Sequence, residues 1–175
     1  MTWTGTTVLT TNRLTLRCFR EDDLAPYAAL NRQPEVLEHL GGEPFSGEYT
    51  EEIAAWANGL YEREGIGLIA VERTADATFL GMCGLHHLEA YPNDIEIAWR
   101  FAHEHWGQGY ATEAAAAWLS YGFTEKKLSR VISVTDEVNV RSIAVMKRIG
   151  MKFDHHARIT EEGMEFDVVV YSIDQ

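Results

Sequence analysis

The sequence predicts a single α+β domain over residues 1–175, in which helices cover both faces of a mostly antiparallel β-sheet. Three observations support this fold class. Strand-like segments at 67–73, 78–87 and 95–101 are joined by links too short for a crossover, so these neighbours must pair antiparallel. A strongly helical segment then separates the last of them from another strand, which is the pattern of one parallel crossover. Two strand-like segments at the end of the chain are joined by a short turn, which is typical of a hairpin.

The first third of the chain is predicted to contain one strand and three helices. Segment 13–19 alternates between polar and apolar residues, which favours a strand. The acidic residues at 21–23 can cap the next helix and interact favourably with its first turn. Pro34 suits the start of another helix, and apolar residues at helical spacing before Gly65 indicate a third. The predicted helices span residues 24–30, 35–40 and 49–64.

The rest of the chain is predicted to carry most of the sheet. Apolar or alternating segments indicate strands, Pro92 lies in a turn between two of them, and Gly150 ends the last helix. The predicted strands span 67–73, 78–87, 95–101, 130–135, 151–159 and 165–173, with helices at 111–121 and 139–149 and a turn at 161–163.

Composition and charge narrow the classes of function. The formal net charge of −12 argues against a nucleic-acid-binding protein, which usually has a basic surface. It suits either attraction of a cationic substrate or solubility alone. No apolar run approaches the ~20 residues of a transmembrane helix, and residues 1–5 do not resemble a signal peptide, so we expect a cytoplasmic protein. Cys18 and Cys83 stand apart among apolar neighbours, which favours buried free thiols over a disulfide.

The most informative motif is the segment Trp106-Gly107-Gln108-Gly109-Tyr110-Ala111-Thr112, between a predicted strand and a predicted helix. Glycine lets a ligand come close to the backbone, and the first N–H groups of a helix have no partner inside it. Such a loop can bind a phosphate group, with some help from the helix dipole. The alternative is a tight helix-opening turn that binds nothing, and the loop alone does not decide between the two.

A second motif follows the strand that ends near Thr135. Asn139 and Ser142 lie three residues apart at a predicted helix start, so both side chains can face the same side. The two strands that flank the central helix would lie side by side, and a cleft would open between them if they splay apart. The alternative is that Asn139 is only an N-cap and that Ser142 only fills the first turn.

Together these motifs resemble the GCN5-related N-acetyltransferase superfamily, and within it the branch that acetylates ribosomal-protein N-termini. Segment 13–24 is similar to the family's opening strand and helix, and segment 106–114 to its pyrophosphate loop. Trp106 stands where the wider superfamily has Arg or Gln, although Trp is usual in this branch. Arg148 and Met151 replace the Lys and Phe of a second family motif. That motif matches the chain at Asn139, Ser142, Val145, Arg148, Gly150 and Met151.

The resemblance implies an acetyltransferase that uses acetyl-CoA to acetylate a primary amine, by direct attack within a ternary complex. It implies that the pyrophosphate lies on the amides of 107–111 and that the pantetheine arm runs along 99–101 as an added strand does. The residues that would hold the cofactor are Trp99, Arg100, Phe101, Trp106, Gly107, Gln108, Gly109, Tyr110, Ala111, Thr112, Asn139 and Ser142.

The resemblance also implies catalytic roles. The acceptor amine must lose a proton before it attacks, because its free pKa is about 8 to 10. Glu96 is the candidate base, directly or through water, since it alternates away from the apolar residues of its strand; a pair with Arg100 is the alternative. Asn139 would hold the cofactor or an ordered water. The candidates for protonating the departing CoA thiolate are Ser142 and, more weakly, Tyr121 and Tyr171.

Two other functions fit parts of the sequence. A dinucleotide-binding oxidoreductase would also have a glycine loop and a later acid, Asp136, but Thr112 stands at its third glycine position. A non-catalytic acyl-CoA-binding or sensor module would share the fold and transfer nothing. The histidine pairs lack metal-binding spacing, so no metal is expected. The acceptor, a small amine or a protein N-terminus, is not specified, and a homodimer stays open.

Overall fold

The computed structural model describes residues 3–161 and 163–175, which form an eight-stranded sheet flanked by helices. The strands are β1 (Thr7–Thr10), β2 (Leu14–Arg17), β3 (Leu68–Arg73), β4 (Thr78–His87), β5 (Ile95–Phe101), β6 (Arg130–Asp136), β7 (Lys152–Glu161) and β8 (Met164–Asp174). The α-helices are α1 (Leu24–Leu30), α2 (Pro34–Leu37), α3 (Gly47–Glu64), α4 (Tyr110–Thr124) and α5 (Val140–Arg148). Within these residues, no helix combines the length and the apolarity that crossing a membrane requires.

The strand order β1-β2-β3-β4-β5-β6-β8-β7 confirms the predicted fold class. Neighbouring strands pair antiparallel, except that β5 and β6 run parallel on either side of the α4 crossover. The predicted strands at 78–87 and 95–101 coincide with β4 and β5. The sequence did not predict β1, a short edge strand whose residues are exposed or half-buried. The predicted turn at 161–163 includes residue 162, which, like residues 1 and 2, lies outside the described residues.

Side chains that alternate along the central strands divide the core between the two faces of the sheet. On one face, Ile97 is fully buried beside Trp118 of α4. On the other face, α1 and α3 cover a second apolar cluster that includes Phe19. Cys18 and Cys83 are buried free thiols, as predicted, and burial raises the pKa of each. Helices therefore cover both faces of the sheet.

A buried ion network ties the start of the chain to the sheet. Arg17 on β2 is 2% exposed, and it donates hydrogen bonds to Asp23 at 2.6 and 2.8 Å and to Glu72 on β3 at 2.9 and 2.7 Å. Burial works to lower the pKa of Arg17, but the hydrogen bonds to both carboxylates outweigh it and raise the pKa. Because buried charges are costly without partners, the network fixes the turn before α1 against β2 and β3.

Removing the cation of this network should destabilise the fold strongly. We expect Arg17→Met to lower the free energy of unfolding by about 3–5 kcal/mol, because Asp23 stays buried without its partner. Urea unfolding followed by tryptophan fluorescence measures the loss. The matched control is Arg158→Met, which removes an exposed pair with Asp167 on the β7–β8 hairpin and should cost less than about 1 kcal/mol. Similar losses in the two variants would contradict this account.

Candidate functional site

The site is a cleft between two parallel strands that separate. Strands β5 and β6 pair at Ile95 and Glu96, and then diverge, although β5 runs on to Phe101 and β6 to Asp136. A cavity of about 1850 Å³ opens between them. Pockets for one drug-sized ligand usually measure about 300–1000 Å³, so this cleft has room for two substrates. The splayed strand pair expected from the sequence is present.

The glycine loop forms a bare turn at the start of α4. Gly107 and Gly109 adopt left-handed backbone conformations, with φ of +74° and +81°, which favour glycine. A β-carbon at Gly107 would meet nothing within 4 Å, so a ligand can reach the backbone there. The N–H groups of Tyr110, Ala111 and Thr112 open the helix and have no partner inside it. This end of the cavity therefore fits a diphosphate.

Arg13 holds the glycine loop in place. Its guanidinium lies 2.6 Å from the Glu113 carboxylate, donates to the carbonyl of Gln108 at 3.0 Å, and lies 4.6 Å from the centre of the Tyr110 ring. The Glu113 carboxylate also accepts a hydrogen bond from Thr11. Burial works to raise the pKa of Glu113, but these hydrogen bonds outweigh it and hold the pKa below its usual range. The Glu113 charge is thus balanced by Arg13 and does not stand alone beside the loop.

Most of the predicted cofactor residues line the cavity. The Arg100 guanidinium donates to Asn31 at 2.8 Å, and the Trp106 indole N–H donates to the carbonyl of Phe101 at 2.8 Å, so both side chains also brace the wall. Gln108 is outside the lining, and its side-chain amide donates to a nearby backbone carbonyl. The predicted residues in the lining are Trp99, Arg100, Phe101, Trp106, Gly107, Gly109, Tyr110, Ala111, Thr112, Asn139 and Ser142.

Asn139 and Ser142 lie at the start of α5, as their spacing predicts. Asn139 is the N-cap: its Oδ1 accepts from the Ser142 N–H at 3.1 Å, and its Nδ2 donates to Thr135 at 3.1 Å. The Ser142 hydroxyl is half-buried in the cavity wall and makes no hydrogen bond with any residue in the described ranges. Tyr121 and Tyr171 lie outside the lining. Of the three candidate proton donors, Ser142 is the one at the cleft.

Glu96 lies where the two strands separate. It is 6% exposed, and its Oε1 accepts a hydrogen bond from the backbone N–H of Val134 on β6 at 3.0 Å. Its Oε2 lies 2.9 Å from Nε2 of His86 on β4. The alternative, a pair between Glu96 and Arg100, is wrong: among the described residues the Glu96 carboxylate contacts Val134 and His86, and the Arg100 guanidinium donates to Asn31. Glu96 is therefore a buried carboxylate in the cavity wall, anchored to the far strand.

His86 is a candidate that the motifs did not single out. It lies directly opposite Glu96 in the register of β4 and β5, and its ring meets that of Trp56 edge to face at 6.1 Å. The angles of its contact with Glu96 fall outside the hydrogen-bond range, so the buried Nε2 makes no hydrogen bond with a described residue. The register of the β4–β5 hairpin, had it been worked out from the sequence, would have placed His86 opposite Glu96.

The cavity wall is acidic, with a few basic side chains. Arg141 lies 4.9 Å from the centre of the Trp106 ring, near the glycine loop. His39, which follows α2, reaches Asp136 at the end of β6 with Nδ1 at 3.2 Å from Oδ2. Among the described residues no group of His, Cys, Asp or Glu could hold a metal ion. The carboxylates in the lining belong to Glu35, Glu38, Glu43, Glu52, Glu89, Glu96, Glu113 and Asp136.

A splayed strand pair with bare amides at a helix start defines the class of acyl-CoA-dependent transferases that the motifs resemble. Comparison with known families agrees, since residues 13–152 match the model of the acetyltransferase (GNAT) domain. The chain belongs to the GNAT acetyltransferase family and is an acetyltransferase. The resemblance found in the sequence is confirmed.

Individual relatives are similar to this chain over most of its length. YkkB of Bacillus subtilis (strain 168), an uncharacterized protein, is 34% identical over 154 residues, which cover 87% of this chain and 89% of YkkB. The crystal structure of an acetyltransferase from Agrobacterium tumefaciens str. C58 is 26% identical, covers 100% of this chain and 98% of its own, and superposes with a TM-score of 0.82. RimL, a ribosomal L7/L12 alpha-N-protein acetyltransferase solved in complex with coenzyme A, is 17% identical with a TM-score of 0.79 over 96% of this chain and 97% of its own. This chain therefore has the same fold as RimL.

Replacing Arg13 should weaken CoA binding, because the Gln108 carbonyl loses its donor and the Glu113 charge is left beside the loop. We expect Arg13→Met to raise the Kd for CoA about 5–30-fold, which corresponds to roughly 1–2 kcal/mol. Isothermal titration calorimetry measures the change. Arg63→Met, at the exposed end of α3, is the control and should bind CoA like the parent. An unchanged Kd in the Arg13 variant would mean that the loop keeps its shape without this contact.

Proposed function

We propose that the chain uses acetyl-CoA to acetylate a primary amine, by direct attack of the amine within a ternary complex. The observation that carries this proposal is the continuous cavity, which joins the bare amides at the start of α4 to an acidic region beside α2 and α3. Glu96 lines the same cavity at the point where β5 and β6 separate, buried and anchored to Val134. A cavity of this kind brings an anionic carrier and a cationic acceptor to one carboxylate.

Acetyl-CoA supplies the acetyl group, and its fit is supported at the glycine-loop end. The N–H groups of 110–112 would hold the diphosphate, because they have no partner inside α4 and Gly107 leaves their approach open. Residues 99–101 of β5 lie beyond the paired part of the β5–β6 ladder, so the pantetheine arm can bond there as an added strand does. Asn139 would support this end of the cleft by fixing the start of α5.

Glu96 and Ser142 would carry the proton transfers. Glu96 is the candidate base, because a buried carboxylate in the cavity wall can remove the proton of the amine directly or through water; such help is worth about 10²–10⁴-fold. Ser142 would donate a proton to the departing thiolate, since its hydroxyl has no other partner among the described residues. Holding both substrates in one cleft could supply up to about 7–11 kcal/mol of the barrier reduction.

The acceptor we propose is a protonated amine, either a small molecule or a protein N-terminus. The acidic lining and the net charge of −12 would attract such a cation. RimL is named for acting on a ribosomal-protein N-terminus, and this chain shares its fold. A panel of primary amines that includes ribosomal N-terminal peptides, read out by thiol release, tests the proposal. Coenzyme A binding without transfer to any amine would instead support a non-catalytic acyl-CoA-binding module.

Removing the Glu96 charge should slow transfer. We expect Glu96→Gln to lower kcat about 10²–10⁴-fold and to shift the pH profile upward, because the reaction then depends on amine that has lost its proton to solvent. Steady-state thiol release between pH 6 and 10 measures both effects. This pH interval is chosen because free amines have pKa values of about 8 to 10. Glu62→Gln, on the exposed face of α3, is the control. A parental rate and profile in Glu96→Gln would place the base elsewhere.

Loss of the Ser142 hydroxyl should have a smaller effect. We expect Ser142→Ala to lower kcat less than about 10-fold, because positioning of the two substrates supplies much of the rate and water can protonate the thiolate. KM for acetyl-CoA should change little, since the Asn139 cap uses the backbone N–H of residue 142. Steady-state kinetics separates kcat from KM, and a loss above about 10³-fold would give Ser142 a larger role than this.

A further inference from the structure

The contact between His86 and Glu96 leaves one buried nitrogen without a hydrogen bond. Nε2 of His86 is sealed from solvent and lies 2.9 Å from Oε2 of Glu96. The side chains of His86 and Glu96 are 12% and 8% exposed. An unpartnered polar atom at such a depth is costly, and both residues line the cavity that would hold the substrates.

The distance between these atoms is short enough for a hydrogen bond, although their present angle lies outside the range for one. An ionised carboxylate only accepts hydrogen bonds, and a neutral imidazole has one nitrogen with a hydrogen and one with a lone pair. If Nε2 presented its lone pair to an ionised Oε2 at 2.9 Å, the two acceptors would repel each other. A hydrogen on Nε2 removes the conflict, and a small rotation of the ring would complete the hydrogen bond. The lone pair of the imidazole then lies on Nδ1, the nitrogen that is not sealed from solvent.

Among the described residues, Glu96 is the charged group that His86 contacts. From α3, the neighbour is the ring of Trp56, which carries no charge. From β5, the neighbour on the same face is Glu96, whereas Arg100 lies opposite Met82 and donates to Asn31. Glu96 itself is held by the Val134 N–H through its other oxygen. The histidine and the carboxylate therefore form an oriented pair in the cavity wall.

We propose that His86 is a catalytic residue that accepts the proton of the amine at Nδ1, and that Glu96 acts through it by stabilising the imidazolium. The bound ammonium first passes one proton to Nδ1, directly or through one water, which frees the lone pair of its nitrogen. As that nitrogen then bonds to the acetyl carbon and the carbon–sulfur bond breaks, its next proton passes through Ser142 or water to the departing thiolate, and Nδ1 later returns its proton to solvent. This inference rests on the proposed function and refines the part that Glu96 plays in it.

The first test uses single and double variants. His86→Gln should lower kcat about 10²–10⁴-fold, and should keep the Kd for CoA within about twofold because His86 does not contact the glycine loop. If the two residues act as one unit, the double variant His86→Gln with Glu96→Gln should be no slower than the slower single variant. His155→Gln is the matched control: His155 on β7 is exposed, lies 3.0 Å from the Asp154 carboxylate and is outside the cavity lining, so this change should leave kcat within about twofold.

The second test is chemical rescue, which a purely structural histidine would not show. In His86→Ala, added imidazole should restore kcat at least about tenfold, while Glu96→Gln should not respond. The inference is overturned if His86→Gln is as active as the parent, or if imidazole fails to rescue His86→Ala and the losses of the two single variants multiply. A parent protein that binds CoA but acetylates no amine would overturn the proposed function and this inference together. An active parent with an unaffected His86→Gln would overturn the inference alone.

Discussion

The site depends on one carboxylate that takes the place of a strand partner. Strands β5 and β6 stop pairing after Glu96, and the backbone N–H of Val134 is then left without its β5 acceptor. Buried backbone N–H groups need partners, and Oε1 of Glu96 supplies one at 3.0 Å. The gap between the strands can therefore persist at the edge of the core without an unpaired amide. The same hydrogen bond fixes an ionisable group in the cleft wall. One contact therefore both stabilises the gap between the strands and positions the carboxylate in it.

The anion-binding end of the cleft depends on residues that are distant in sequence. The glycine loop provides free amides, but Arg13 reaches the Gln108 carbonyl across 95 residues of chain and the Glu113 carboxylate across 100. Four residues further on, Arg17 links β2 to Asp23 and β3 in the core. The opening segment of the chain is therefore a brace for the site as well as a part of the sheet.

Local patterns predicted the frame of the molecule well. The alternation of β4 and β5, the helix-ending Gly65 and the crossover around α4 each placed an element within a few residues. Strand β1 was missed because a four-residue edge strand of mixed exposure has no clear period. The pair of Glu96 and Arg100 fails on geometry, because residues four apart on one strand lie about 13 Å from each other. Partners across strands depend on register, and so the motifs did not indicate His86.

The net charge of the protein and the local charges of the cleft would act differently on the two proposed substrates. A chain of net charge −12 should repel the phosphates of coenzyme A at long range, but charges are screened over about 8–10 Å at physiological salt. Near the glycine loop lie uncharged amides, the positive end of the α4 dipole, Arg141, and the Glu113 carboxylate paired with Arg13. Beyond Glu96 the lining is rich in carboxylates. We therefore expect the local groups, rather than the net charge, to favour an anionic carrier at the glycine loop and the proposed cationic amine beside α2 and α3.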